Sequence, residues 1–463
     1  MSGKLLEEIE KRLKAKTIHE LRQVARALGV PRPADGRKER ILEYILQIAS
    51  GKSDPAEPSV RGAHPKSSEY DRQLVADVLR CREICLSEGG TGTVYKQSSV
   101  LSVGSGVGFD PLDFISEGIL EKTDGKWFLR VNGGNEDFIT DIFVSDYFVN
   151  AFGLREGDCV SGKCKRSSLD EIAGLSSIKT VNGCTPETAR GLVAFEKLTP
   201  VYPDRHLQIA RSRNDLTGRI IDLFAPVGAG QRAFVVAPHG CGKTSVLKEI
   251  ACGLKKNNSQ AKVILVLIDA RPEEASDFKR AFPDTDVFVS LIGAGANAHV
   301  RTANLALQYA KRIAEKGLDS VLVLDDLTRL ARAYNSCGRQ VSGYLEVSAL
   351  DEVKKYLSAA KNTEEGASLT IISALSKGGD YVDDAVYSGL KDLCNMRITL
   401  SGQLARMRVY PPVDMENTYT SGDEKLLDAN KIRVAAKLRC EPLQKIISLL
   451  DETDGNEELC GKF

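Results

Sequence analysis

The spacing of hydrophobic and polar residues changes three times along the chain, and each change marks a different kind of segment. Apolar positions repeat at helical spacing in residues 1–50, which predicts a small helical module. Residues 51–117 begin rich in Gly, Pro and Ser, so we assign them as a linker with a helical and loop insertion. Short β-runs fill 118–190, and longer apolar runs alternate with helical patterns in 191–463.

About five short β-runs in the third segment suit a small closed barrel of the oligonucleotide-binding type. The turn Thr123-Asp124-Gly125 is a hairpin signal between the first two runs. Trp127, the only tryptophan, lies beside Phe128 and Arg130, and Phe143 follows on a later run. Aromatic side chains with a nearby cation stack single-stranded bases in such barrels. The alternative is that Trp127 or Phe128 belongs to the barrel core; because strand neighbours point to opposite faces, we expect at least one of them to face outward.

The fourth segment alternates between strands and helices. Its apolar runs are AFVVAP, VILVLID, VFVSLI, SVLVLDD and SLTIISAL, and its helical patterns include TSVLKEIACGL and RTANLALQYAKRIAEKG. Strands that are apolar throughout and separated by helices predict a parallel sheet covered on both faces. The predicted fold is therefore multidomain, with an N-terminal helical module, a small β-barrel and a C-terminal α/β domain.

Composition excludes some classes of protein without selecting one. The 63 basic and 63 acidic side chains cancel, so a polyanion partner has to be argued from local clusters. The 11 cysteines show neither an even framework nor paired zinc-ligand spacing, which is typical of reduced thiols. No apolar stretch approaches the roughly 20 residues that cross a bilayer, and the charged start MSGKLLEEIEKRLK is unlike a signal peptide. We therefore expect a cytoplasmic protein with no membrane partner.

The strongest chemical signal is the segment Ala237-Pro238-His239-Gly240-Cys241-Gly242-Lys243-Thr244, which leaves a strand and opens a helix. A phosphate-binding P-loop requires this strand–loop–helix context. Backbone N–H groups at the helix N-terminus face phosphates, Lys243 neutralises their charge and the Thr244 hydroxyl group binds Mg²⁺. We therefore assign ATP and Mg²⁺ as cofactors. The binding residues in the loop and helix are Gly240, Cys241, Gly242, Lys243, Thr244 and Ser245. Ala237 replaces the usual first glycine, and the alternative is a strand–helix turn that happens to contain a lysine.

A P-loop works with a carboxylate at the end of a hydrophobic strand, which holds the magnesium ion. The run SVLVLDD ends in Asp325, with Asp326 beside it, and VILVLID ends in Asp269. We assign Asp325 as the metal-binding and catalytic carboxylate, together with Lys243. The alternative for Asp325 is a helix cap at the strand end, and the role of Asp269 stays open.

Several longer segments carry a resemblance to a known family. They are DDLTRLARAYN (325–335), ARPEEASDF (270–278), EEGASLTII (364–372), DLTGRIIDLFAPVGAGQR (215–232), RVYPPVD (408–414) and FEKLTPVYPDRHL (195–207). In letters and in order they resemble the family of the bacterial transcription termination factor Rho. The resemblance covers roughly Gly118 to the C-terminus, and the N-terminal helices more loosely.

The resemblance implies a RecA-like P-loop ATPase domain in a homo-hexameric ring with ATP between subunits. Single-stranded RNA is the implied partner, and RNA polymerase is a further candidate. Tyr410 corresponds to the aromatic residue that packs on adenine, and Arg271 and Arg232 correspond to nucleotide-site arginines. Arg408 corresponds to an arginine at the subunit interface, which we assign as catalytic.

RNA would be captured on the barrels and then gripped by two loops in the central hole of the ring. The segments 338–343 and 377–381 resemble those loops. The RNA-binding residues implied by the resemblance, with Trp127 added from the barrel pattern itself, are Trp127, Phe128, Arg130, Phe143, Arg339 and Lys377.

Departures from the family pattern bear on activity. Ala270 stands where the family has the glutamate that orients the attacking water, and Gly240 stands where its P-loop has a second lysine. No arginine occurs in 419–423, where the family has one that reaches the neighbouring subunit's ATP. Lys126 replaces a usual aromatic residue of the barrel, and Tyr381 replaces a lysine of the second central loop.

Two functions therefore stay open. The first is an RNA-dependent ATPase and helicase that moves on nascent transcripts and terminates transcription. The second is an ATP-binding, RNA-binding ring with weak or no hydrolysis, acting as a regulator, because an arginine finger alone is worth about 10³–10⁵ in rate. Asp326, Glu273 and Glu274 are candidates to replace the missing glutamate. A rotary-ATPase-like subunit is a third hypothesis, which the barrel aromatics and the DDLTRLARAYN segment disfavour.

Overall fold

The computed structural model describes residues 11–14, 16–27, 38, 41–42, 45–46, 78, 113–131, 141–166, 172–338, 344–365 and 367–463. The chain forms two compact units, Met1–Gly104 and Ser105–Phe463. In the first unit, helix α1 (Ile18–Ala27) follows Thr17. The backbone N–H of Thr17 donates to Glu20 Oε2 over 2.8 Å, and that of Glu20 donates to Thr17 Oγ1 over 3.4 Å. This reciprocal capping box fixes where the predicted helix begins.

The second unit opens with a closed β-barrel, as the short β-runs predict. Its strands are β1 (Asp113–Thr123), β2 (Lys126–Arg130), β3 (Ile142–Val144), β4 (Cys159–Lys165) and β5 (Ala173–Val181), and helices α2 (Asp146–Phe152) and α3 (Pro186–Arg190) lie beside them. The strand order is β1-β2-β3-β5-β4, with β3 and β5 parallel and the other neighbours antiparallel. The first strand starts at Asp113, ahead of the predicted start at Gly118.

The hairpin between β1 and β2 forms where the sequence predicts it. Asp124 and Gly125 have φ angles of 49° and 78°. Two successive left-handed residues match the twist of paired strands in a two-residue turn. The resulting register pairs Leu120 with Leu129, both fully buried in the barrel core. Their neighbours along each strand therefore face outward.

The rest of the unit is an α/β domain built on one large sheet. Its strands are β6 (Pro200–Val201), β7 (Arg232–Ala237), β8 (Lys262–Ala270), β9 (Asp286–Leu291), β10 (Ser320–Asp325), β11 (Lys361–Thr363), β12 (Ser368–Ser376), β13 (Met396–Thr399) and β14 (Tyr419–Thr420). The order is β14-β13-β7-β12-β10-β8-β9, and every pairing from β13 to β9 is parallel. β11 pairs antiparallel with β12 and with β6.

Both faces of this sheet are covered, as uniformly apolar strands require. Along β8, Val263 and Leu265 pack in one hydrophobic core, whereas Ile264 and Val266 pack in another. The helices that cover the sheet and complete the domain are α4 (Leu216–Phe224), α5 (Lys243–Asn257), α6 (Pro272–Ala281), α7 (Ala296–Glu315), α8 (Leu327–Cys337), α9 (Val347–Ser358), α10 (Tyr381–Leu390), α11 (Gly402–Arg406), α12 (Ala429–Leu438), α13 (Leu443–Asp451) and α14 (Asn456–Gly461). Within the described ranges, none of the helices has both the length and the apolar character needed to cross a membrane.

The barrel is fastened to helix α7 of the α/β domain. Arg301 Nε lies 3.3 Å from Glu121 Oε1 of the barrel. At the last residue of the helix, Glu315 Oε1 accepts a hydrogen bond of 3.1 Å from Arg155 Nη1. Between them Gly157 approaches so closely that a Cβ atom there would lie 2.4 Å from the carbonyl carbon of Gln308. These contacts therefore fix the position of the barrel surface relative to the sheet.

Candidate nucleotide and RNA sites

The parallel strands end at a common edge of the sheet, and most of the predicted nucleotide-site residues collect there. β7 leads into the loop before Lys243, β10 ends at Asp325, and β12, which lies between them, ends at Ser376. Ligands of open α/β sheets bind outside the carboxyl ends of the strands. The topology therefore brings together residues that lie more than 130 positions apart in sequence, as with the 133 positions between Lys243 and Ser376.

The loop before α5 has the backbone of a phosphate-binding turn. Gly240 and Gly242 have φ angles of 75° and 87°, which L-residues with side chains rarely adopt. A Cβ atom at either position would meet no other atom within 4 Å, so the loop surface is open. Cys241 between them is buried, whereas Ser245 is exposed in the first turn of α5. The backbone conformation, and not crowding, is what requires glycine here.

The first two residues of α5 bond to the ends of the neighbouring strands. Lys243 Nζ donates to Ser376 Oγ and lies 3.2 Å from Asp326 Oδ2. Thr244 Oγ1 donates to Asp325 Oδ2 over 2.7 Å. The lysine and the hydroxyl group thus each face one of two successive carboxylates.

The structure distinguishes the two roles considered for the strand-end carboxylates, metal binding and helix capping. Asp326 accepts from the backbone N–H of Thr328 over 2.7 Å and caps helix α8, and it also accepts from Ser376 Oγ over 3.1 Å. Asp325 is 9 % exposed and does not cap the helix. Burial and the neighbouring Asp326 carboxylate raise the pKa of Asp325 to about 6. The alternative of a helix cap therefore applies to Asp326, and Asp325 is the carboxylate that faces Thr244.

The residues present fit a magnesium ion. A hydroxyl group and a carboxylate are the hard oxygen donors that Mg²⁺ takes, usually together with several waters. Thr244 and Asp325 supply them side by side at the mouth of the loop. In the part of the chain that the structure describes, no group of three or more His, Cys, Asp or Glu side chains could hold a metal ion. A site with few protein ligands suits Mg²⁺, which is commonly shared with substrate phosphates.

The junction between β8 and α6 has Ala270 in place of the expected glutamate, and the acid Glu274 nearby already has structural partners. Ala270 is 2 % exposed and packs in the core. Glu274 Oε2 accepts from the backbone N–H of Arg271 over 3.2 Å and lies 3.9 Å from Arg329. Arg271 and Glu273 are exposed at the start of α6. Of the three acids predicted to replace the glutamate, Glu274 and Asp326 already have hydrogen-bond partners, whereas Glu273 is exposed.

Asp269 occupies the same edge of the sheet with an unusual backbone. Its φ angle is 52°, and its carbonyl group accepts from Arg329 Nη1 over 2.9 Å. Its Oδ1 lies 3.7 Å from His299 Nε2, and Nδ1 of that ring is 2.8 Å from Ser290 Oγ. The carboxylate is therefore held at the site, and its role stays a prediction.

The segment after β13 carries two more of the predicted residues. Tyr410 is 52 % exposed, and its hydroxyl group donates to the carbonyl of Ala405 over 3.5 Å. Arg408 is exposed with a φ angle of 60°. Arg232 does not join them: it begins β7 at the opposite edge of the sheet, where its side chain donates to the carbonyls of Leu393 and Ala360. Arg232 is therefore separated from the P-loop of its own chain by the length of β7, and its predicted role at the nucleotide stays a prediction.

A polar network joins the P-loop to the second predicted RNA loop. His239 Nε2 lies 2.8 Å from Asp383 Oδ2, and the other oxygen of that buried carboxylate accepts from Arg332 over 2.7 Å. Arg332 also donates to Asp380, which caps α10. Lys377 starts this loop, exposed, with its backbone N–H bonded to the carbonyl of Ala237. Arg339 and most of the first predicted loop, 338–343, lie outside the described residues.

On the barrel, the strand register separates the predicted aromatic residues by face. Phe128 pairs with Phe143 across the strands, with ring centroids 6.0 Å apart in an edge-to-face arrangement. Phe143 is 38 % exposed. Trp127 is half-buried against the barrel core, with Lys122 Nζ 5.2 Å from its ring centroid. Of the adjacent residues Trp127 and Phe128, Phe128 therefore faces outward and Trp127 packs against the barrel core.

Arg130 lies on the same outer face as Phe128 but is buried. It forms ion pairs with Glu121 and Asp141, and its guanidinium carbon lies 5.4 Å from the Phe128 ring centroid. Burial raises the pKa of Asp141. Glu121 also pairs with Arg301 of α7, so the arginine predicted to hold RNA sits at the junction with the α/β domain.

Sequence reasoning missed three of the polar partners. Ser376 and Glu121 carry no motif of their own, and only the strand order and register bring them to Lys243 and Arg130. The bond between His239 and Asp383 likewise joins residues far apart in the sequence. A long-range pairing of this kind leaves no periodic signal in the sequence.

Fold and site together define a P-loop nucleotide-binding protein that also carries an oligonucleotide-binding barrel. Residues 218–420 match the model of the ATP synthase alpha/beta family, nucleotide-binding domain. Residues 116–187 match that of the Rho termination factor, RNA-binding domain.

Similar proteins extend over most of the chain. The transcription termination factor Rho of Bacillus subtilis is 40% identical over 320 residues, which cover 67% of this chain and 74% of that one. The Rho of Haemophilus influenzae is 34% identical over 409 residues, covering 86% and 96%. A solved ATPase from the type III secretion system of pathogenic bacteria is 22% identical with a TM-score of 0.47, covering 62% of this chain and 78% of that one. The chain belongs to the Rho family.

Proposed function

We propose that this protein is a Rho-type transcription termination factor, an ATP-dependent RNA translocase and helicase that acts on nascent transcripts as a homo-hexameric ring. The observation that carries the proposal is the pairing of Lys243 and Thr244 with two successive carboxylates at the end of β10. In this proposal 118–190 binds RNA and 191–463 is the ATPase domain, joined through 51–117 to the helical module 1–50.

The nucleotide would bind at the open loop. The amides after Gly240 and the ammonium group of Lys243 attract the phosphates, and Thr244 and Asp325 hold the magnesium ion. When bound, that ion would neutralise phosphate charge. Tyr410 is exposed and free to stack on adenine. Arg271 and Arg408 are both exposed, so Arg271 is accessible to the nucleotide and Arg408 to a neighbouring subunit.

RNA would bind at two places. On the barrel, the Phe128 and Phe143 pair offers a stacking platform, and base stacking on an aromatic ring is worth about 1–3 kcal/mol per base. Lys377 would contact RNA at the sheet edge, and Arg339 in the first loop. The bonds of His239 and Arg332 to Asp383 would let that edge sense the P-loop.

A second function is favoured by two specific observations. Ala270 is buried in the core where the family pattern has the glutamate that orients water, and no arginine occurs in 419–423. Binding of ATP requires neither group, whereas fast hydrolysis does. The second candidate is therefore an RNA-binding ring that binds ATP, hydrolyses it weakly and acts as a regulator.

Steady-state ATP turnover, titrated with a cytosine-rich RNA, separates the two functions. RNA stimulation of several-fold or more supports the translocase. A folded protein that binds magnesium–ATP and RNA but shows no stimulated turnover supports the regulator. For the regulator, Ala270→Glu combined with Ser421→Arg, at an exposed position of 419–423, is then expected to raise turnover, and no rise would argue that other groups limit the reaction.

A further inference from the structure

Helix α11 lies against the P-loop because of the strand order. β13 is the parallel neighbour of β7, and the backbone N–H of Leu400 donates to the carbonyl of Val236 over 2.8 Å. The chain leaving β13 therefore emerges beside the chain that forms the loop. A Cβ atom built on Gly402 would lie 3.6 Å from Cys241 Sγ and 3.7 Å from Pro238 Cγ, so the start of α11 touches the loop.

The same helix brings a guanidinium group to this place. The Cβ position of Gly402 is also 3.5 Å from Arg406 Nη1. The arginine tip and Cys241 Sγ thus both lie within 4 Å of one point. Arg406 is exposed, and among the described residues it has no ion-pair or hydrogen-bond partner. It is a cation held next to the phosphate loop without a carboxylate to neutralise it.

The charges already at the loop leave room for such a cation. Lys243 faces Asp326 at 3.2 Å, and Asp325 adds a second carboxylate beside Thr244. Lys243 and Arg329 are the cations that act on the Asp325 carboxylate, so two carboxylates already offset their charge and little positive charge is left over for a triphosphate, even with a magnesium ion present. A lysine at Gly240 would have to adopt a φ angle of 75°, which side-chain-bearing residues rarely do.

We infer that Arg406 binds the phosphate groups of the nucleotide in its own subunit and supplies the positive charge absent at Gly240. The inference rests on the proposed function, since it needs a nucleotide at the loop. It adds a phosphate-binding residue that lies outside the P-loop segment. An arginine suits this place because its planar fork of N–H donors matches phosphate oxygens.

The test compares Arg406→Gln and Arg406→Lys with the wild type in the full-length protein. Calorimetry measures magnesium–ATP affinity, and inorganic tripolyphosphate is titrated as a competitor of a fluorescent ATP analogue. For Arg406→Gln we expect both affinities to fall about tenfold, the size of a lost charged hydrogen bond. Arg406→Lys, which retains the charge, should recover part of the loss.

Arg433→Gln is the matched control, since Arg433 is exposed on α12 and bonds only to Asn430 among the described residues. It should leave both affinities unchanged. Unaltered tripolyphosphate competition by Arg406→Gln would overturn the inference, even if the affinity for ATP fell, because Arg406 would then contact another part of the nucleotide. A wild type that binds no magnesium–ATP would remove the proposed function itself, and this outcome is seen before any variant is made.

Discussion

The edge of the sheet around Lys243 and the outer face of the barrel around Arg130 both present a cation for a polyanionic ligand, but they hold it differently. At the sheet edge, Lys243 forms an ion pair with one acid, Asp326, next to the open P-loop. On the barrel, Arg130 is 5 % exposed between Glu121 and Asp141. The first cation is available to a ligand, and the second is already satisfied.

This difference teaches that the two sites would recognise their ligands by different forces. Attraction at the sheet edge comes from charge and oriented amides. At the barrel it comes from the exposed ring of Phe143, with the arginine acting as a support for the neighbouring Phe128. Buried ion pairs are costly to break, because each leaves an uncompensated charge. We therefore expect changes at Arg130 to affect folding more than ligand contact.

The largest effect is expected for Arg130→Ala. Removing the guanidinium group leaves the buried Asp141 without its cation, which should lower the free energy of unfolding by about 3–5 kcal/mol. Thermal and urea unfolding measure it. Lys126→Ala, exposed on the same strand, is the control and should change stability little. Equal stability of the Arg130 variant and the control would mean that the barrel does not depend on this ion pair.

Next in size is Lys243→Ala. The loss of the ammonium group should weaken magnesium–ATP binding about 100-fold, or about 3 kcal/mol, while the fold persists. Calorimetry gives the affinity. Lys248→Ala, further along α5 and paired with Asp277, should bind ATP as the wild type does. An undiminished affinity in Lys243→Ala would contradict the charge-based account of this edge.

Asp325→Asn should have an effect of similar size, but of opposite sign, on the stability of the ligand-free protein. The pKa of about 6 is raised above the ordinary carboxyl value, so the folded state keeps a proton that the unfolded chain releases between about pH 4 and 6. Stability therefore falls as pH rises through that window, and asparagine removes the fall, worth about 3 kcal/mol at pH 7.

Melting curves from pH 4 to 8 measure this stability difference, and it should vanish near pH 4. The same variant should lose the magnesium dependence of ATP binding. In the wild type, that dependence should weaken below about pH 6 as Asp325 takes up its proton. A magnesium dependence that survives in Asp325→Asn would mean that another group holds the metal.

The smallest effect is expected for Phe143→Ala. Its ring is partly exposed, so stability should change little, while affinity for single-stranded RNA should fall about tenfold through lost stacking. Filter binding at fixed salt measures it, with Tyr147→Ala as an exposed aromatic control on α2. A matched fall in both variants would point to a general loss of barrel surface.

The fold was predictable where the sequence pattern is local. Uniformly apolar strands and the loop ahead of Lys243 predicted the sheet and the P-loop, because backbone geometry alone dictates those residue types. The division between Asp325 and Asp326 was not predictable, since both follow the same strand and only the side-chain partners separate them. The position of Arg232 at the far end of β7 was not predictable either, because sequence similarity does not show at which end of the sheet a side chain lies.

Helix α7 connects the barrel rigidly to the α/β domain. Its 20 residues span about 30 Å, with Arg301 tied to the barrel near one end and Glu315 tied to it at the other. A part fixed at two separated points cannot pivot about either one. The barrel therefore stays at a constant distance from the sheet within a subunit, and an RNA held by both would be held at a fixed spacing.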